Sequence, residues 1–307
     1  MEDPHGMTRF SRRRFLQGAA WIGAAGATGG LPALAAARDD SPRTERVSFR
    51  IPGLDPAHDG LRLAQLSDLH FGPRTPLALI RAALDEANRF EPDLVVLTGD
   101  YLTRRREDVR TLREHIGGLR APTVAVLGNH DVWVDPAGAA AALRRHGYEV
   151  LENAWTTLSL RGVPFRIVGI GDHLTHRDDV LAAVRGLPSR AATPLVLAHG
   201  PRTADKLAAL GRPALCLSGN THGGQVNLPI VTPILLASLR EPYARGLYQL
   251  GPVQLYVNRG VGNSGISFRL NSPPEVTLAT LRRVEPGEAP GPRLQATGAE
   301  RRSSRVL

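Results

Sequence analysis

The chain of 307 residues is 42% hydrophobic and 5% aromatic, with a formal net charge of +9. That apolar content excludes gross disorder and supports one large domain or two small ones. Its arginine excess forms no basic stripe interleaved with aromatics, which argues against a nucleic-acid partner, and a single cysteine, Cys216, excludes an intramolecular disulfide.

Residues 11–18 read SRRRFLQG, and a Gly/Ala-rich apolar stretch (19–30) and LPALAAA (31–37) follow. This is the layout of a twin-arginine export signal with a small-residue cleavage site. The stretch is too glycine-rich for a stable membrane span. Residues 1–37 are therefore expected to be a signal peptide read by the twin-arginine export machinery. The mature chain is expected in the periplasm or extracytoplasmic envelope. Residues 38–284 then form one domain. Residues 285–307, rich in Pro, Gly, Arg and Ser, are expected to be disordered.

From residue 46 onward, apolar runs alternate with amphipathic segments. Strands are predicted at 47–51, 61–66, 93–98, 123–127, 164–170, 194–198, 214–218, 253–257 and 275–281. Helices are predicted at 76–89, 107–117, 136–146, 177–185 and 201–210. Arg161-Gly162 and Gly251-Pro252 each separate two β-like runs and read as hairpin turns. Buried, largely parallel strands with helices outside make an α/β fold, whose ligands sit beyond the carboxyl ends of strands.

Five strand ends carry ligand-type residues. LSDLH (66–70) places Asp68 and His70 two apart, on one side if the strand continues. LTGD (97–100) ends in Asp100 on a glycine hinge, suited to lying between two cations. LGNHD (127–131) groups the amide of Asn129, the imidazole of His130 and a carboxylate; an imidazole there can serve as an acid without touching metal. LVLAHG (195–200) adds His199, and SGNTHGGQV (218–226) adds Asn220 and His222. Each alone is weak; Asp68 with His70 makes half a divalent transition-metal site.

The ordered set D-x-H, G-D, G-N-H-D, H, G-x-x-H resembles the calcineurin-like metallophosphoesterase family over roughly residues 60–280. It looks closest to exported, twin-arginine-signalled members, through THGGQVNLP (221–229), GLYQL with LYVNRGVG (246–262) and PPEVTLATL (273–281). The resemblance implies a four-layer αββα sandwich of two mixed sheets with a two-metal centre of manganese, zinc or iron. It implies that Asp68, His70 and His222 hold one ion, that Asp100 bridges, and that Asn129 and His199 hold the second. His130 is the implied leaving-group acid and Arg104 an implied phosphate contact. Two such ions about 3.5–4 Å apart clamp an in-line displacement and acidify a water between them.

Two positions depart from the family pattern. Thr103 stands where some members carry an acid paired with the catalytic histidine, so His130 is expected to lack that partner. Asn220 replaces an expected histidine ligand. Either the second site takes a harder ion through the amide oxygen, or it is weak or empty. The expected function is hydrolysis of envelope phosphodiesters or pyrophosphates; the alternative is a non-catalytic or one-metal binding protein. The apolar run 226–239 suggests a lip for lipid-linked phosphoesters and peripheral membrane contact, or simply packs on the core.

Overall fold

In a computed structural model, residues 41–188, 193–228, 232, 241–284 and 293–294 are described. They belong to one unit, Asp40–Leu307. The expected signal peptide lies outside the described residues, as do 229–231 and 233–239 of the apolar run and most of the tail.

The first strands in chain order are β1 (Arg43–Ile51), β2 (Arg62–Leu66), β3 (Leu94–Leu97), β4 (Thr123–Ala125) and β5 (Glu149–Val150). β6 (Ala154–Leu160), β7 (Val163–Ile170), β8 (Leu195–Ala198) and β9 (Ala214–Ser218) follow. The last are β10 (Gly246–Leu250), β11 (Val253–Val257), β12 (Glu275–Arg283) and β13 (Arg293–Leu294). Helices are α1 (Leu77–Arg89), α2 (Asp108–His115), α3 (Asn129–Val134), α4 (Pro136–Arg144), α5 (Val180–Ala183) and α6 (Thr203–Ala209).

The strands form two mixed sheets, ordered β13-β1-β12-β2-β3-β4-β5 and β10-β11-β9-β8-β7-β6. LVVL, LVLA and ALCLS are buried at every position because both their faces are covered. Leu63, Val96 and Val124 meet Ile167, Leu197 and Leu217 between the sheets. On its other face the first sheet packs against α1, α2 and α4. The second sheet packs against α5 and α6. The result is the expected four-layer αββα sandwich.

Local chemistry sets the elements. α1 buries Leu79, Ile80, Ala83, Leu84 and Ala87, a stripe at helical spacing. α4 starts where Asp135 accepts from Gly138 N–H at 2.9 Å, with Pro136 at its first position. Both predicted hairpins form, β6 with β7 and β10 with β11. The edge strand β6 alternates exposed and covered positions, as a strand with one wet face should. Cys216 is a buried core residue, as its apolar neighbours imply.

Three features differ from the predicted elements. α3 forms where only a ligand loop was expected. The helix expected at 177–185 is a single turn. Within the tail expected to be disordered, Arg293–Leu294 pairs antiparallel with β1, through Val47 and Ser48. A row of free main-chain groups at a sheet edge favours such an addition. Among the described residues, no helix is long and apolar enough to cross a membrane.

Candidate metal centre

Both sheets present their parallel strand ends to one crevice. Asp68 and His70 follow β2, Asp100 follows β3, and Asn129 and His130 follow β4. From the second sheet, His199 follows β8, and Asn220 and His222 follow β9. All but Asn220 are buried. Main-chain bonds tie the first two loops together: Asp68 N–H donates to Gly99 O at 2.9 Å, and His70 N–H to Asp100 O at 3.0 Å.

Asp68 and His70 do not share a side through strand alternation, because β2 stops at Leu66. Their φ angles are 52° and 46°, and Asp100, Asn220 and His222 also lie in the left-handed region, at 56°, 72° and 52°. Non-glycine residues avoid that region, and strain of this kind gathers at sites that need it. Here the left-handed turns at Asp68, His70, Asp100 and His222 bring their side chains together in the crevice. Gly219 is required by close approach: a Cβ there would collide with Ser67 Oγ and Asp68 Oδ2.

The ligand atoms of Asp68, His70 and His222 lie within 4.8 Å of one another. His222 Nε2 is 3.3 Å from Asp68 Oδ1 and 3.1 Å from His70 Nε2. Asp100 stands between two groups, its Oδ2 3.6 Å from His70 Nε2 and 3.3 Å from His199 Nε2. Asp68, Asp100 and His199 form a second such group, and His70, Asp100 and His130 a third. Asn129 Oδ1 is buried without a hydrogen-bond partner. Orphaned lone pairs of this kind mark a missing electrophile.

Carbonyls orient the imidazoles. His70 Nδ1 donates to Leu102 O at 3.1 Å and His199 Nδ1 to Thr98 O at 2.7 Å. A carbonyl only accepts, so each ring turns its Nε2 lone pair inward, as metal-binding histidines do. At Thr103 no acid side chain meets His130, as expected, and a main-chain group takes its place. His130 Nδ1 donates to the main-chain carbonyl of that residue at 2.5 Å, while the Thr103 hydroxyl donates to Phe71 O.

The crevice demands positive charge. Burial alone would raise Asp68, yet the adjacent His222 holds it down to about 2. Burial is likewise overridden at Asp100, which His199 and His130 hold far below the usual carboxylate range. At His199, burial is outweighed by Asp100, which pushes the imidazole well above its ordinary value. His70, by contrast, is pushed down to about 3, chiefly by burial. Ionised carboxylates around a retained proton are what a divalent cation would satisfy in the proton's place. The mixed nitrogen and oxygen donors fit a first-row transition ion.

Other supporting residues carried no sequence assignment. Asp131 is fully buried and accepts from Gly128, Tyr101 and Leu102 N–H, each at 2.9 Å. Burial, and then the charge of Asp100, raise it to about 7. Asp131 stands in the quoted motif and could have been found there. Arg269 donates to His222 Nδ1 at 3.0 Å and to the carbonyls of Arg259, Ser272 and Gly262. It lies in a stretch without periodicity, which gave no signal. Asn220 contributes its main-chain N–H to Asp68 Oδ1 and Oδ2, at 3.2 and 3.1 Å, and its side chain makes no hydrogen bond among the described residues. Arg104 is exposed and lines a cavity of about 360 Å³ with Arg74, Arg105 and Asp108.

The family model for calcineurin-like phosphoesterases matches residues 61–224, which span the five loops through His222. A metallophosphoesterase of Bacillus subtilis, YkuE, is 31% identical over 90% of this chain and 99% of its own length. The Escherichia coli phosphodiesterase YaeI is 34% identical over 70% of this chain and 80% of its own. The UDP-2,3-diacylglucosamine pyrophosphatase LpxG of Chlamydia trachomatis is 28% identical, over 77% and 88%. With its ligand-bearing strand ends meeting at one buried carboxylate, the chain belongs to the calcineurin-like metallophosphoesterases, hydrolases of phosphoric ester bonds.

Proposed function

We propose that the protein hydrolyses phosphodiester or pyrophosphate bonds of cell-envelope substrates at a dinuclear centre, after export by the twin-arginine route. The observation that carries this reading is Asp100, buried with His70 and His199 on either side of its Oδ2, beside the orphaned Asn129 Oδ1. The relatives named phosphodiesterase and pyrophosphatase support the bond type, and LpxG supports a lipid-linked substrate.

Asp68, His70 and His222 hold one ion, Asn129 and His199 the other, and Asp100 bridges. Manganese, zinc or iron suits these donors. Such a pair supplies Lewis acidity toward the phosphoryl oxygens and lowers the pKa of water. His130, held at Nδ1 by Thr103 O, offers its other nitrogen as the proton donor to the leaving oxygen. Arg104, exposed on the cavity it lines with Arg74 and Arg105, is in this reading the contact to substrate phosphate.

Hydrolysis of bis(p-nitrophenyl) phosphate with added manganese, zinc or magnesium tests the reading, with Asp100→Ala and His222→Ala as controls. Activity is expected with at least one metal and is lost in both variants. No activity with any metal, or undiminished activity in both variants, rejects it. One ion per chain in excess manganese would favour the one-metal alternative that Asn220 motivates. Co-sedimentation with liposomes tests the membrane contact.

A further inference from the structure

The loop after β7 carries a buried carboxylate with one oxygen left unpartnered. Asp172 is 1% exposed. Its Oδ2 accepts from Thr175 N–H at 2.9 Å, whereas its Oδ1 is buried without a hydrogen-bond partner. The nearest cation-capable group to Oδ1 is His173 Nδ1 at 4.0 Å, too far for a hydrogen bond. A buried carboxylate oxygen without a partner is costly, and a water or ion that meets it removes that cost.

The fold shows what it faces. β7 and β8 are parallel neighbours with Ile170 level with Ala198, so the next residues, Gly171 and Asp172, run alongside His199 and Gly200. The two loops are in contact: a Cβ on Gly200 would collide with the His173 ring. Asp172 also feels the charges of both His199 and Asp100. Burial, with Asp100's charge added, raises it to about 6, and His199 works against that rise. The buried, unpartnered Asn129 Oδ1 and Asp172 Oδ1 thus come from the ends of β4 and β7, and His199, whose Nε2 lies 3.3 Å from Asp100 Oδ2, from the end of β8. β9 runs beside β8, and after it Asn220 stands where a histidine was expected.

We propose that Asp172 is a positioning residue of the second ion's site: its free Oδ1 supplies charge and a hydrogen-bond acceptor to that ion's hydration water, compensating for Asn220. The inference rests on the two-ion reading. Asp172 joins none of the three groups of His, Asp and Glu ligand atoms that lie within 4.8 Å of one another, so the proposal sets it outside the direct ligands. It therefore acts through water rather than by direct coordination.

The test is manganese binding to the full chain by equilibrium dialysis and calorimetry, for wild type, Asp172→Asn, Asn220→His and the double variant. Wild type is expected to bind two ions. Asp172→Asn should bind the first ion as wild type does and the second at least tenfold more weakly. In the Asn220→His background, removing the Asp172 charge should change second-ion binding less than twofold. Metal-free Asp172→Asn should melt no lower than metal-free wild type, because the amide relieves a buried unpaired charge; a structural carboxylate would give the opposite. Two ions bound equally tightly by wild type and Asp172→Asn overturn the inference alone. So does a metal-free variant that melts lower or fails to fold. A wild type that binds one ion overturns the two-ion reading, and the inference with it.

Discussion

His130 is the residue whose role separates most cleanly by leaving group. A general acid contributes about 10²–10⁴ to rate when the departing oxygen needs a proton. His130→Ala should therefore lower kcat at least about 10²-fold on an alkyl phosphodiester, and far less on a p-nitrophenyl ester, whose anion leaves unaided. Comparable losses on both substrates, in steady-state assays, would remove it from that role. Asp131 makes a different case, because its three N–H partners are main-chain groups that shape the Asp100 and Asn129 loops. Asp131→Ala strands three buried donors, at about 1 kcal/mol each. The expected loss of about 3 kcal/mol lowers the melting temperature by about 6–12 °C for a domain of this size. At this scale the ligand residues were legible because imidazoles and carboxylates stand out at the ends of apolar runs. Their orientation was not. The carbonyls of Thr98, Leu102 and Thr103 can come from any residue type, and the left-handed turns at Asp68 and His70 have no glycine to announce them.

The β6–β7 hairpin shows how one element is pinned to the opposite sheet. Arg161, in its turn, donates to both oxygens of Asp93, at 3.1 and 2.8 Å, and to the carbonyls of Asp59 and Gly60, each at 3.0 Å. Burial would raise Asp93, but the bonds from Arg161 and Arg62 N–H outweigh it and lower its pKa. A depressed carboxylate stabilises the fold above its unfolded value, about 3.9, and loses that effect as pH falls through the folded value. Arg161→Ala should thus cost about 1 kcal/mol at pH 7, and the difference from wild type should shrink below about pH 4. Urea unfolding at pH 7, 5 and 3 measures it; a gap that widens on acidification contradicts the assignment. The hairpins were legible from short turn pairs between β-like runs. α3 was not, because its six residues begin with the ligand motif and show no amphipathic period. β13 is two residues long and depends on β1 for its existence.

For the whole molecule, the crevice between the sheets joins folding to metal binding. Ions held as proposed, by loops from both sheets, would stabilise the folded state by mass action, about 2.7 kcal/mol at 100 times Kd. Added manganese should raise the melting temperature and a chelator should lower it, whereas Asp100→Ala should respond little to either. An equal response in that variant would place the ions elsewhere. The sandwich itself was legible because alternating buried runs and amphipathic helices admit few architectures; which strands are antiparallel was not, since β12 pairs with β2 across more than two hundred residues. One further result concerns β1, which lies beside β12 with Arg43 level with Glu275, while Gln65 is level with Thr277. Arg43 therefore stands about 10 Å, two strand spacings, from the chain at Ser67, on the rim that carries the metal ligands. Arg43 thus lies beside the mouth of the crevice, so a carrier or solid support joined directly before Arg43 would shade the opening. Small chromogenic esters would still pass, and bulky substrates would be turned away.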